Sequence, residues 1–294
     1  MLIILGLAGL LGATAADAPQ HAALWGGGTG PHVIAVSMDE TTDQRIWAAL
    51  RMEALVPTLR DEARREAEAL IAEGLIAPDG PPWPEIVARI HDPERLGEMF
   101  RQSLGRAAGR VDAAALDRAL AFYEQGPGGR LVELENSARR AMLDPGIEDA
   151  ARMAFARADG QNAPRARLIR RLITEADLVA PNVATGMNAS VAFSQGFDEG
   201  GGFDMAPTRD QMLAEAWAQH DEIAFEAEAW MQAFLMLAYS PLSDAEIEAY
   251  IAFATSPPGQ ALADVLFAGF DTVFVQTSRE MGLAAATREP GQRL

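Results

Sequence analysis

The sequence predicts an all-α protein, and three observations carry that prediction. Alanine, leucine, glutamate and arginine dominate, and no alternating β-branched run of useful length occurs. Apolar residues recur every three or four positions through Leu213, Trp217, His220, Ala224, Ala227, Met231, Phe234 and Ala238, with Glu215, Glu222 and Glu226 off that stripe. A helix, a Pro/Gly elbow and a second helix occur in that order twice.

The elements follow in chain order. Residues 2–12 form a short apolar run that ends at Ala13-Thr14-Ala15, the pattern of a secretory signal peptide over residues 1–15. The run is too short to span a bilayer, which takes about 20 apolar residues. Cleavage falls between Ala15 and Ala16, because the alternative after Ala18 would put Pro19 at the cleaved bond. No Lys or Arg precedes the run, a departure from that pattern. Residues 16–40, with Gly26-Gly27-Gly28-Thr29-Gly30 and Pro31, read as a flexible tether. A phosphate-cradling glycine loop would need a strand before it and a lysine after it, and neither is present.

The remainder repeats itself. A shift of 131 residues lays Ala114–Leu131 over Ala245–Leu262 with six identities in 18 positions, among them Phe122/Phe253, Pro127/Pro258 and Gly128/Gly259. A shift of 122 lays Glu53 on Glu175 and Gly74 on Gly196, and a longer glycine-rich loop, Phe197 to Met205, absorbs the difference. The expected organisation is two helical units, 41–160 and 161–287, and a tail over 288–294. Each unit carries one long helix: Asp43 to Glu73, with Arg60, Asp61, Arg64, Arg65 and Glu66 as a solvated face, and Pro207 to Tyr239. A short helix capped by Asp112 or Ser243 follows. It ends at the aromatic Phe122 or Phe253, whose ring can fold into the elbow formed by Gly126, Pro127 and Gly128 or by Ser256, Pro257, Pro258 and Gly259. Ser256 or Gly126 is placed to cap the helix beyond.

The segments AFYEQGPGGRLVEL and AFATSPPGQALADV resemble the aromatic-x-x-Ser-Pro-x-Gly-x-x-Leu elbow of a bacterial exported family, domain of unknown function 2059 (DUF2059). The first copy departs from it, since Gly126 replaces the usual serine–proline pairing. The resemblance covers the elbow and its flanking helices. It implies two tandem helical domains exported to the periplasm, and it brings no catalytic residue with it.

Composition narrows the chemistry. There is no cysteine, which excludes thiol nucleophiles, zinc–thiolate sites and iron–sulfur clusters. All 24 cationic residues are arginine, which excludes Schiff-base lysines and a Walker-type lysine. The net charge of −18 repels phosphate backbones and anionic lipids, so neither nucleic acid nor stable membrane insertion is expected. His91-Asp92 and His220-Asp221 sit 129 residues apart at near-equivalent places, and they would be the core of any metal or acid–base site. No His-x-x-x-His spacing supports one, and His220 on an apolar stripe reads as a core histidine. Asp244, Glu246 and Glu248 read as first-turn acids that favour a helix dipole. The 12 methionines include no Met-x-Met or Met-x-x-Met pair, which leaves them as core fillers, and no Gly-x-Ser-x-Gly elbow occurs. Arg165, Arg167, Arg170 and Arg171 form a candidate anion-binding cluster.

The function expected is a non-catalytic binding or interaction module of the periplasm, with an envelope protein or a small ligand as partner and no cofactor. An interface between two related units is a common place for a binding cleft. The competing expectations are an envelope hydrolase or metal-dependent enzyme built on His91 and His220, and a purely structural spacer.

Overall fold

Side-chain caps set where many of the helices begin. Asp92, Asp112 and Asp144 each accept backbone N–H bonds from the turn that follows, and Thr208 and Ser243 form capping boxes with Gln211 and Glu246. The structure, a computed structural model, describes residues 41–72 and 81–288. The signal segment with Ala15 and Ala16, the tether, Glu73 and Gly74 and the tail from 289 lie outside the described residues. Among the described residues there are thirteen α-helices and no strand: α1 (Thr42–Ala49), α2 (Met52–Ala72), α3 (Trp83–Ile90), α4 (Pro93–Ala108), α5 (Ala113–Glu124), α6 (Gly128–Ala141), α7 (Pro145–Gly160), α8 (Pro164–Glu175), α9 (Val179–Glu199), α10 (Arg209–Ala218), α11 (His220–Ala238), α12 (Asp244–Ala254) and α13 (Pro257–Arg288). The all-α expectation holds.

Both long helices expected from the sequence are broken once. Arg51 takes a left-handed φ of 49°, which ends α1 and lets Leu50 and Met52, both fully buried, point into one core. The second break is at Gln219, whose N–H bonds back to the Ala216 carbonyl in a tight turn before α11 restarts. Neither break falls at a proline or glycine, so neither carries a sequence signal. Helix α9 runs on to Glu199, which shortens the expected glycine-rich loop to the residues after it.

The two main cores are each built from both halves of the sequence. One gathers Ile46, Leu50 and Met52 from α1–α2, Phe100 and Leu104 from α4 and Leu116 and Leu120 from α5 around Leu262, Val265, Leu266, Phe270, Val273 and Phe274 of α13. The other gathers Leu168, Ile169 and Leu172 of α8, Met231 and Phe234 of α11 and Ile247 and Ile251 of α12 around Leu131 and Ala138 of α6 and Ala151 and Phe155 of α7. Residue 160 is therefore not a packing boundary. The two stretches, 41–160 and 161–287, exchange part of their C-terminal arms, since α13 enters the first core yet also lies along α9 of its own stretch, and the place where a cleft between units was expected is filled by apolar side chains.

Packing partners correspond across the exchange. Helix α1 packs on α4 and α5, and α8 on α11 and α12; α2 packs on α3 and α4, and α9 on α10 and α11. Helix α4 lies along α13, and α11 lies along α6 and α7. Even the surface pairs match: Arg45 of α1 reaches Asp117 of α5 at 2.6 Å, and Arg171 of α8 reaches Glu248 of α12 at 2.7 Å. Asp117 and Glu248 are 131 residues apart.

The elbows meet where the arms cross. Phe122 and Phe253 stack nearly parallel, 3.7 Å apart and 6° from coplanar. Pro257 opens α13, and Ser256 Oγ accepts the Gly259 N–H at 3.3 Å, as a capping serine should. At the other elbow Pro127, not Gly126, is the N-cap residue, and no side chain caps α6. Gly128 and Gly259 are demanded by space: a Cβ at Gly128 would lie 2.7 Å from the Phe122 ring, and one at Gly259 2.2 Å from the Phe253 carbonyl oxygen. Elsewhere α9 and α13 cross in backbone contact, where a Cβ on Gly196 would stand 1.8 Å from the Arg279 oxygen and one on Gly282 2.0 Å from that of Phe193.

Candidate functional site

Beneath the elbows lies a polar cluster that no sequence motif announces. All three tyrosines of the chain, Tyr123, Tyr239 and Tyr250, are buried there beside Glu135, which accepts the Tyr239 hydroxyl at 2.5 Å. Burial and the nearby carboxylate push the Tyr239 hydroxyl well above its ordinary pKa. One turn along α6, Arg139 is buried against Glu62 of α2 in a bidentate pair at 2.7 and 2.9 Å and stands 5.7 Å from the Trp230 ring centre. The cluster is closed to solvent, and it joins the two halves as a buried polar tie.

The histidines occupy different surroundings. His91 is buried at the C-terminus of α3, its Nδ1 bonded to the Val87 carbonyl at 2.9 Å, and burial lowers its pKa. His220 is half-exposed: its ring stacks on Trp217 at 5.1 Å, and its Nδ1 lies 2.9 Å from Asp221. The expectation of a core histidine at 220 is corrected by that exposure. Among the described residues no group of three or more His, Asp or Glu is arranged to hold a metal ion.

The arginine cluster of α8 is engaged within the protein. Arg165 donates to the Tyr239 and Leu242 carbonyls, both at 2.6 Å, and pairs with Asp244. Arg167 bonds to Asn162, Arg170 pairs with Asp159, and Arg171 pairs with Glu175 and Glu248. The three α12 acids are matched in turn, since Glu246 caps its own helix and meets Arg130 of α6 at 2.5 Å. Helices α2 and α3 frame a shallow surface depression of about 660 Å³ in which Arg60, Arg64 and Arg89 face Glu85 and Asp92. Its charge is mixed.

The face that remains unpartnered is the outer side of α10 and the start of α11. Helix α10 buries Met212 and Ala216 against α9, and this turns Leu213 and Trp217, one helical turn apart, outward. Trp217 is 67% exposed, Phe225 71%, Leu213 45% and Met205, in the preceding loop, 86%. Phe203 packs edge-on against Phe197 at 4.9 Å and is exposed on its other side. Of the eight large apolar side chains exposed among the described residues, five fall between 203 and 225. Scattered single exposures need no explanation, but a concentration of this kind does.

The sequence stripe placed Leu213 and Trp217 in the core, and the structure corrects it. From Ala227 onward the stripe is buried as expected. Upstream of the Gln219 turn, the buried face is Met212 and Ala216, about 100° round the helix from it. One signal could have found the exposed face, namely the crowding of Glu215, Asp221, Glu222 and Glu226 around Trp217 and Phe225.

No protein-family model matches this chain, and neither does any curated protein or solved structure.

Proposed function

We propose that this chain is an exported, non-catalytic interaction protein of the bacterial cell envelope, which docks a partner protein on the outer face of α10 and α11. The observation that carries the reading is the exposure of Trp217 and Phe225, two rings held in water by α10, which Thr208 caps, and by the second turn of α11, with no described element over them. Aromatic anchors of this type dominate the energetics of protein interfaces. Export rests on the apolar run and the Ala15-Ala16 site. Descent from one duplicated unit akin to DUF2059 rests on the elbow motifs, and the matched packing of the two halves supports it.

The test is site-specific photo-crosslinking in the native cell, with a benzophenone amino acid at Leu213 and a control at exposed Arg106 of α4. A light-dependent adduct with one protein at 213 but not at 106 is expected. Equal labelling at both positions, or none at 213, would overturn the docking reading. An intact mass that retains residues 1–15 would overturn export.

A further inference from the structure

We infer that the partner presents a cationic amphipathic helix to this face. The inference rests on the docking reading above and adds to it the chemistry of the occupant.

Charge is the first argument. Residues 198–228 hold nine carboxylates (Asp198, Glu199, Asp204, Asp210, Glu215, Asp221, Glu222, Glu226 and Glu228) against Arg209 alone. That is −8 of the chain's −18 in about a tenth of its length. Only Glu199 and Glu226 meet an arginine, Arg279 and Arg152 respectively, among the described residues. The acids of this stretch therefore far outnumber their arginine partners. A second copy of this chain would bring the same acids against each other, and an anionic lipid surface would be repelled. A segment rich in Lys and Arg is attracted, and its cations can also sit over the exposed faces of Trp217 and Phe225.

Geometry is the second. Leu213 and Trp217 stand one turn apart on α10, and Phe225 follows in the second turn of α11, beyond the Gln219 turn. Anchors at one-turn spacing followed by a further ring suit a partner helix whose own apolar side chains recur every three or four positions. An added strand would need a sheet edge, and the described residues contain no strand. The occupant that meets both arguments is a helix with an apolar stripe and a basic flank.

The experiment uses the full mature chain and three labelled peptides of about 18 residues, or five helical turns. One arranges leucine and lysine as an amphipathic helix, one replaces every lysine with glutamate, and one has the leucine–lysine composition in an order that makes no stripe. Binding is followed by fluorescence anisotropy at about 50 and 500 mM salt, where the Debye length falls several-fold. The leucine–lysine helix is expected to bind at least tenfold more tightly than either control and to weaken with salt. The double variant Trp217→Ala, Phe225→Ala should lose at least tenfold of that affinity. The double variant Asp221→Asn, Glu222→Gln should bind more weakly with a flatter salt dependence. All four side chains are exposed, so circular dichroism should report an unchanged fold.

Equal binding of the glutamate peptide, or affinity unchanged in the Trp217/Phe225 variant, overturns the inference. So does a concentration-dependent dimer in sedimentation that the same variant abolishes, because the occupant is then a second copy. If crosslinking at 213 captures a partner whose contact segment is not a basic amphipathic helix, this inference fails and the docking reading stands. If neither crosslink nor peptide binding occurs, both fail.

Discussion

Phe122 lies flat on Phe253, ring on ring at 3.7 Å, and each residue stands just before one of the two Pro/Gly elbows, 131 positions apart. Each ring closes its own elbow and leans on the other. They form a small joint about which the two arms cross, flanked by Tyr123 and Tyr250.

Truncating either ring should cost about 2 kcal/mol, less than for a fully buried phenylalanine because both are only partly buried. Phe122→Ala combined with Phe253→Ala should cost less than the sum, by roughly 1 kcal/mol of lost stacking. A denaturant double-mutant cycle measures this, and strict additivity would show that the rings act independently.

The α9–α13 crossing should be intolerant of a single methyl group. Gly196→Ala would set a Cβ 1.8 Å from the Arg279 oxygen, so the helices must part, with a loss of about 3 kcal/mol or more. Gly160→Ala, with open space around its would-be Cβ, is the control and should leave the melting temperature within a few degrees of wild type.

Neither half should fold alone. A chain ending at residue 160 leaves the first core without six buried side chains of α13. At about 1.5–3 kcal/mol each, their loss is on the order of 10 kcal/mol, as large as the net stability of a domain. Each half alone should show no cooperative unfolding by circular dichroism, while the two mixed halves should regain it. A cooperative transition in one half would contradict the exchanged packing.

His91 should make stability fall on the acid side. Burial lowers its folded pKa below the unfolded value of about 6.5, so the unfolded chain takes up the proton first as pH falls. The contribution is complete above about pH 6.5 and is lost as pH drops toward the folded pKa. His91→Gln should therefore lose less stability than wild type between about pH 7.5 and 5.5 in urea titrations. Equal losses would indicate that carboxylates alone set the slope.

The tyrosines should titrate only when the fold is lost. All three are buried with pKa values raised by desolvation, so they contribute stability below about pH 10 and lose it as pH rises beyond. Phenolate absorbance should rise together with the far-ultraviolet unfolding signal. Any tyrosine that ionises in the folded protein would show that the cluster admits water.

Local chemistry was legible in the sequence and long-range exchange was not. The caps at Asp112 and Ser243 and the Pro257 start of α13 depend on side chains acting on their own backbone within three residues, and the sequence displays those. The turns at Arg51 and Gln219 arise because tertiary burial selects a conformation that local propensity does not. Helix α13 packs in the other half's core because of shape, which a hydrophobic pattern does not encode. The exposed Trp217 was missed for the same reason, since an apolar residue in periodic register looks identical whether it meets a core or a partner.

The crossed arms also set an order of events during synthesis. The first core opens with Ile46, but it has no closing wall until Phe274 has left the ribosome, more than 200 residues later. At about 5–20 residues per second, that interval lasts on the order of ten seconds or more. Through it the early helices lack the apolar wall of α13 that completes their core.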